Sequence, residues 1–245
     1  MVFAHFAGPL RHVMLRVMFR ACLTAGCLTL SAPALACDIA LVLAVDVSGS
    51  VDNEEFRIQM DGLAEGLRDP AVAEALVAGE AALTVLQWTG TTRQAVSVPW
   101  TQVRSFEDLD TLATQIEAVT RKWRNYSTAI GEALEFSQAL FADAPQCDRR
   151  VVDISGDGSS NEGVEPSEAR QQVEAAGTTI NALVIEGAEP DLTAYFRENV
   201  IEGPGAFVIT ANSYEEYPKR MQMKLLREVA KQVSALDSEG EDGPL

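Results

Sequence analysis

The chain has 245 residues, with 19 Lys+Arg against 36 Asp+Glu, a formal charge of −17. That length suits one large domain or two small ones, and 47% apolar with 22% charged residues is ordinary globular composition rather than that of a disordered or fibrous chain. The acidity argues against a nucleic-acid binder, which would show a basic face, and against a polybasic membrane-surface protein.

Residues 1–36 contain Arg11, Arg16 and Arg20 and no acid. A short apolar run, Ala21 to Leu30, leads to Ala34-Leu35-Ala36, an A-x-A cleavage pattern. This is the layout of a cleaved secretory signal peptide. The basic region is long, so Met1, Met14 or Met18 could each be the start. A membrane anchor is the rival reading, but the run is short for a span. No later stretch of about 18 uncharged apolar residues occurs, so no membrane insertion of the mature chain is expected. Cleavage leaves 16 basic and 36 acidic residues, a net −20, and removes both histidines, His5 and His12. The mature chain then has no imidazole for a Ser-His-Asp or Cys-His centre or for a His-ligated zinc site. Cys22 and Cys27 also leave. Cys37 and Cys147 remain, an even pair that in an oxidising compartment reads as a disulfide. The alternative is lipidation of Cys37, against which Ala34 stands where a large aliphatic residue is usual. The cleaved signal peptide implies a periplasmic or secreted location, with a lipoprotein as the less favoured alternative.

In chain order, Ile39 to Val45 is an unbroken apolar run ending in Asp46, a strand buried on both faces. Asp52 and Glu55 have capping-box spacing before Phe56, Met60, Leu63 and Leu67 at helical intervals. Ala82–Trp88 is the next strand, and Gln94–Val98, closed by Pro99, completes a hairpin with an edge strand. Phe106–Val119 is a helix with Leu109, Leu112 and Ile116 on one face. Thr128 opens another, bearing Ile130, Leu134 and Leu140. Val151–Ser155 is a strand, Glu165–Ala176 a helix stopped by Gly177, Thr179–Ile185 a strand and Asp191–Asn199 a short helix. Ala206–Ile209 is the last strand and Tyr214–Val233 the last amphipathic helix. The tail 237–245 (DSEGEDGPL) is expected to be disordered. The alternation predicts an α/β fold: a doubly wound, mostly parallel six-stranded sheet with helices on both faces, in one domain over 37–236. Ligands of such sheets bind outside the carboxyl ends of the strands, where the winding reverses.

At the carboxyl end of the first strand stands Asp46-Val47-Ser48-Gly49-Ser50. In an extended segment Asp46, Ser48 and Ser50 project to one side. A carboxylate and two hydroxyls offer only oxygen, which suits a hard cation such as Mg²⁺ or Mn²⁺ and not zinc. The bland reading is an N-cap cluster for the first helix, but Asp52 is better placed for that. This D-x-S-x-S pattern resembles the metal-ion-dependent adhesion site of von Willebrand factor type A domains. The family takes further ligands from a Thr in a loop before a helix and an Asp after the fourth strand. The matching residues are Thr128, in Tyr126-Ser127-Thr128-Ala129-Ile130-Gly131, and Asp157, in Ile154-Ser155-Gly156-Asp157-Gly158. The resemblance spans nearly the whole mature chain. It implies a cation that stays electrophilic, with one position open to a carboxylate from outside. It also makes the first and fourth strands parallel neighbours, so that Cys37 and Cys147 share the edge away from the metal. A disulfide there closes about 110 residues, worth roughly 4–5 kcal/mol. The stretches LVLAVDVSGSVD, RRVVDISGDGSSN and GPGAFV are further similar to an uncharacterised family of exported bacterial proteins with this fold and no assigned function.

Asp153 and Asn181 interrupt buried strands and need partners; they are expected to face each other across adjacent strands or to share a water. Trp88, Trp123, Tyr126 and Asn161 fall at or near the metal side. Of these, Tyr126 and Asn161 are the candidates for a partner-recognising rim, and Trp88 fits the core equally well. The expected function is an exported, divalent-metal-dependent binding module that captures an exposed Asp or Glu of a protein partner. The rivals are a metal-dependent hydrolase of phosphate esters and a metal-stabilised structural or assembly factor. Against the hydrolase stand Ser48 where a D-x-D enzyme needs acid, and the absence of a Walker lysine or G-x-S-x-G elbow. A carboxylate base such as Glu162 has nothing positive in its favour, so no enzyme is expected.

Overall fold

The computed structural model describes residues 37–187 and 189–239, with side chains up to Val229. The expected signal peptide, 1–36, and most of the expected tail, 240–245, lie outside the described residues. The elements are β1 Cys37–Asp46, α1 Asn53–Arg68, α2 Pro70–Ala78, β2 Ala82–Trp88, β3 Gln94–Gln102, α3 Phe106–Glu117, α4 Ile130–Leu140, β4 Cys147–Gly156, α5 Pro166–Ala175, β5 Thr178–Ile185, α6 Leu192–Asn199, β6 Val208–Ala211 and α7 Tyr217–Glu239. A 3₁₀ turn, Tyr214–Glu216, leads into α7.

The strands form one sheet in the order β3-β2-β1-β4-β5-β6, parallel except for the antiparallel edge strand β3. Alternation along β1 sorts the core into two layers. Ile39, Leu41, Leu43 and Val45 pack beneath α1, α2, α3 and α7, while Ala40, Val42 and Ala44 pack against α4, α5 and α6. β1 is buried on both faces, hence its unbroken apolar run. Its winding runs one way to β2 and the other way to β4, so a crevice opens above β1 and β4, where Asp46 ends β1 and Asp157 directly follows β4.

The first helix starts as its capping box predicts. Asp52 Oδ1 accepts from the N–H groups of Glu54 and Glu55, both at 2.8 Å, and Glu55 Oε2 accepts from the Asp52 N–H at 2.6 Å. Helix α2 is an addition to the sequence expectation: Asp69 ends α1 and caps α2, with Pro70 in the first turn. Strand β3 runs through Pro99 to Gln102 instead of closing at it, because Pro99 sits on a free sheet edge where its missing N–H costs nothing. Helix α4 begins at Ile130, leaving Thr128 and Ala129 in the preceding loop. The last helix extends to Glu239, over the first residues of the expected tail.

Cys37 and Cys147 are register partners at the amino ends of β1 and β4 and form a disulfide, with Cα atoms 4.3 Å apart. The lipidated-cysteine reading is thereby set aside. Asp153 and Asn181 are register partners across β4 and β5, yet each bonds to α7 rather than to the other. The Lys224 ammonium pairs with Asp153 Oδ1 and lies 3.3 Å from Glu228 Oε1, which accepts from Asn181 Nδ2 at 2.7 Å. Asn181 Oδ1 accepts from the Phe207 N–H at 2.9 Å. The expected two-membered pair is a buried network of four.

Candidate metal centre

Asp46 is fully buried at the end of β1. Its Oδ1 accepts from the Ser48 N–H at 2.7 Å, which folds the loop back over the carboxylate. Its Oδ2 has no hydrogen-bond partner. Ser48 Oγ and Ser50 Oγ are 3.1 Å apart, and Ser50 Oγ donates to Asp157 Oδ1 at 2.6 Å. Thr128 and Asp157 line one cavity of about 450 Å³ with Gly49, Ser50 and Tyr126. Ser50, Thr128 and Asp157 therefore meet at one crevice from three segments, the loop after β1, the loop before α4 and the turn after β4, with Asp46 and Ser48 buried beside them.

Each segment is held by specific bonds. Gly49 N–H donates to the Tyr126 carbonyl at 2.8 Å, and a Cβ on Gly49 would sit 3.2 Å from that oxygen. A side chain there would press the two loops apart. Thr128 is braced by Asn161, whose Oδ1 accepts from the Thr128 N–H at 3.0 Å and whose own N–H donates to the Thr128 carbonyl at 2.9 Å. Asn161 is exposed and lines this crevice, and its amide oxygen and backbone also position Thr128. Tyr126 lines the crevice and is 41% exposed. Trp88 is core, and Trp123 packs half-buried against the α1–α7 layer. The carboxylate of Glu162 accepts from the Thr91 N–H at 3.3 Å.

Two residues of this site escaped the sequence reading. The Tyr214 hydroxyl donates to Asp157 Oδ2 at 2.8 Å, so both oxygens of that carboxylate are engaged. Arg121 donates through Nη2 to the carbonyls of Val47 at 3.2 Å and Ser48 at 2.9 Å. Neither contact has a local signal, since each joins residues more than 50 positions apart.

Burial and the neighbouring Asp157 push the Asp46 carboxyl up to about 7. A fully buried carboxylate with an orphaned oxygen, beside a second carboxylate, is a costly arrangement unless a cation compensates it. The donor set is oxygen only, as Mg²⁺ or Mn²⁺ requires. Among the described residues no group of three or more His, Cys, Asp or Glu side chains gathers as a metal site. A cation here would therefore lean on hydroxyls as much as on carboxylates. The residues fit such an ion.

A family model described as "Protein of unknown function (DUF1194)" matches residues 36–233. The chain belongs to this family. No curated protein matches it. Its fold is that of von Willebrand factor type A domains. Proximal thread matrix protein 1 from the mussel byssus superposes with a TM-score of 0.61 at 19% identity, over 78% of this chain and 47% of that one. A von Willebrand factor type A protein from Catenulispora acidiphila gives 0.57 at 15% identity, over 78% and 43%. The pilus adhesin SpaC from Lactobacillus rhamnosus GG gives 0.59 at 10%, over 80% and 31%. The DUF1194 chain thus spans half or less of the length of these structures. One structure of the mussel protein, with a TM-score of 0.56 at 19% identity over 80% of this chain and 49% of that one, has zinc in its adhesion-site motif.

Proposed function

We propose that this DUF1194 protein is an exported binding module that uses a divalent cation to capture an Asp or Glu side chain of a protein partner, and that it is not an enzyme. The observation that carries the reading is the fully buried Asp46 with its unpartnered Oδ2, beside Asp157, which lines one crevice with Ser50 and Thr128. Asp46, Ser48, Ser50, Thr128 and Asp157 would hold the ion, Mg²⁺ or Mn²⁺. The ion would supply a Lewis-acidic position to which an outside carboxylate binds. Zinc in the motif of the mussel protein supports metal binding by this class of site. SpaC, of the same fold, is a pilus adhesin, which supports a binding rather than a catalytic role. Among the described residues no helix is long and apolar enough to cross a membrane.

Calorimetric titration of Mg²⁺ and Mn²⁺ into the oxidised, metal-stripped protein tests the first step. One-site binding that Asp46→Ala abolishes is the expected result. No heat of binding in the wild type would remove the metal-capture mechanism.

A further inference from the structure

Metal capture of an acidic side chain meets an electrostatic difficulty in a chain with 36 acidic residues, because like charge repels at long range. The cations, however, are gathered where they can answer it. Arg121, Lys122 and Arg124 lie within four residues of the segment joining α3 to α4, and Arg93 lies in the turn between β2 and β3.

That segment is tied inward by its backbone. Besides the Gly49–Tyr126 and Arg121 bonds to the metal loop, the Lys122 N–H donates to Gln87 Oε1 at 2.9 Å. The Ser127 carbonyl accepts from Thr89 Oγ1 at 2.8 Å. Asn125 takes the left-handed conformation, φ 59°, that Asn tolerates better than most residues. The side chains of Lys122, Arg124 and Tyr126 are consequently left exposed on a held scaffold. The Arg93 guanidinium lies 3.8 Å from the centroid of the Tyr126 ring, and Tyr126 itself lines the metal crevice. This stacking keeps the guanidinium beside the crevice while leaving its charge available. Among the described residues Arg93, Lys122 and Arg124 form no ion pair, whereas Arg68, Arg104, Arg170 and Arg220 do. Two acids share this rim. Glu162 and Glu189 are each engaged by a backbone N–H, from Thr91 at 3.3 Å and Ser159 at 2.9 Å.

The opposite flank carries the other sign. A cavity of about 460 Å³ that shares Ser50 and Asp157 with the crevice is lined by Asp52, Glu54, Glu55 and Glu215. The basic and aromatic side chains are therefore gathered on one side of the site, with Glu162 and Glu189 among them, while the charged side chains lining the other cleft are all acidic.

We propose that the basic flank, Arg93 and the 121–126 segment, docks an acidic segment of a protein partner. One carboxylate of that segment meets the cation, and the carboxylates next to it meet Arg93 and Arg124. This rests on the metal-capture reading and adds the partner's chemistry and its direction across the face. The local cations offset the repulsion from the rest of the chain over the last Debye length of approach, about 8–10 Å.

The test uses three labelled hexapeptides of Gly with one Asp, with Asp followed by two Glu, and with Asp followed by two Lys. Binding is read by fluorescence anisotropy in Mg²⁺ and in chelator. In Mg²⁺ the Asp-Glu-Glu peptide is expected to bind about 5-fold tighter than the single-Asp peptide, as two exposed ion pairs allow. The preference should shrink with added salt. In R93Q/R124Q it should vanish, with a metal titration of that variant confirming the crevice intact. Equal binding of the two acidic peptides, or tighter binding of the Asp-Lys-Lys peptide, overturns the basic-flank proposal while leaving metal capture standing. Absence of any Mg²⁺-dependent binding overturns metal capture itself. A preference for Asp-Glu-Glu that survives in R93Q/R124Q overturns the assignment to these residues.

Discussion

Asp46 is the residue on which the site turns, and its burial sets a pH dependence. Its folded-state carboxyl is raised from 3.8 to about 7, chiefly by desolvation and then by Asp157. In the unfolded chain it ionises near pH 4. Between those values the folded protein holds a proton that the unfolded chain has released. Its contribution to stability is therefore fully present below about pH 4 and is lost as pH rises through about 7. A cation that binds the ionised form reverses the loss. Scanning calorimetry should show Mg²⁺ raising the melting temperature of the wild type more at pH 8 than at pH 5. Asp46→Ala should show no such difference, and an equal shift at both pH values would contradict this account. The five candidate ligands were nameable at this scale, because their chemistry and positions along the chain stand in the sequence itself. Tyr214 and Arg121 were not, since nothing near either residue points to Asp157 or to the metal loop.

At the scale of elements, periodicity and caps marked the strands and most helices. Helix α2 was missed although Asp69-Pro70 is a sound start signal; the preceding helix and its cap drew the boundary too early. The network beneath α7 shows the sharper limit. Lys224 and Glu228 read as an ordinary i,i+4 pair on an amphipathic helix, yet both are buried against Asp153 and Asn181. Lys224→Met would leave two carboxylates buried without a cation. It is expected to cost about 3–5 kcal/mol in urea unfolding. A loss under 1 kcal/mol would mean that water or relaxation of α7 compensates. Joint replacement of Asp153, Lys224 and Glu228 by apolar residues of matching volume should cost far less, because no charge is then orphaned.

Across the whole molecule, the disulfide and the metal crevice occupy opposite ends of the same two strands. Cys37 and Asp46 are the two ends of the ten-residue strand β1, about 30 Å of extended chain apart. Reducing the Cys37–Cys147 bond frees a 110-residue separation, and should lower stability by about 4–5 kcal/mol. Denaturant unfolding with and without reductant measures this. Metal titration of the reduced, still folded protein should return an unchanged affinity. A weakened affinity would show that strand ends at one edge are strained by changes at the other.

The sequence alone determined the layered α/β fold, since its apolar runs and helical stripes admit few other ways to bury themselves. It also placed Asp46, Ser48, Ser50, Thr128 and Asp157 at the ends of elements. Their convergence followed from topology, because only the strand order sets β1 beside β4 and turns three remote loops toward one crevice. The tertiary structure alone decided the support. Asn161 braces Thr128, Tyr214 reaches Asp157, and Lys224 is drawn into the core. These contacts join residues distant in sequence and depend on side-chain direction, which no local pattern of residue types encodes.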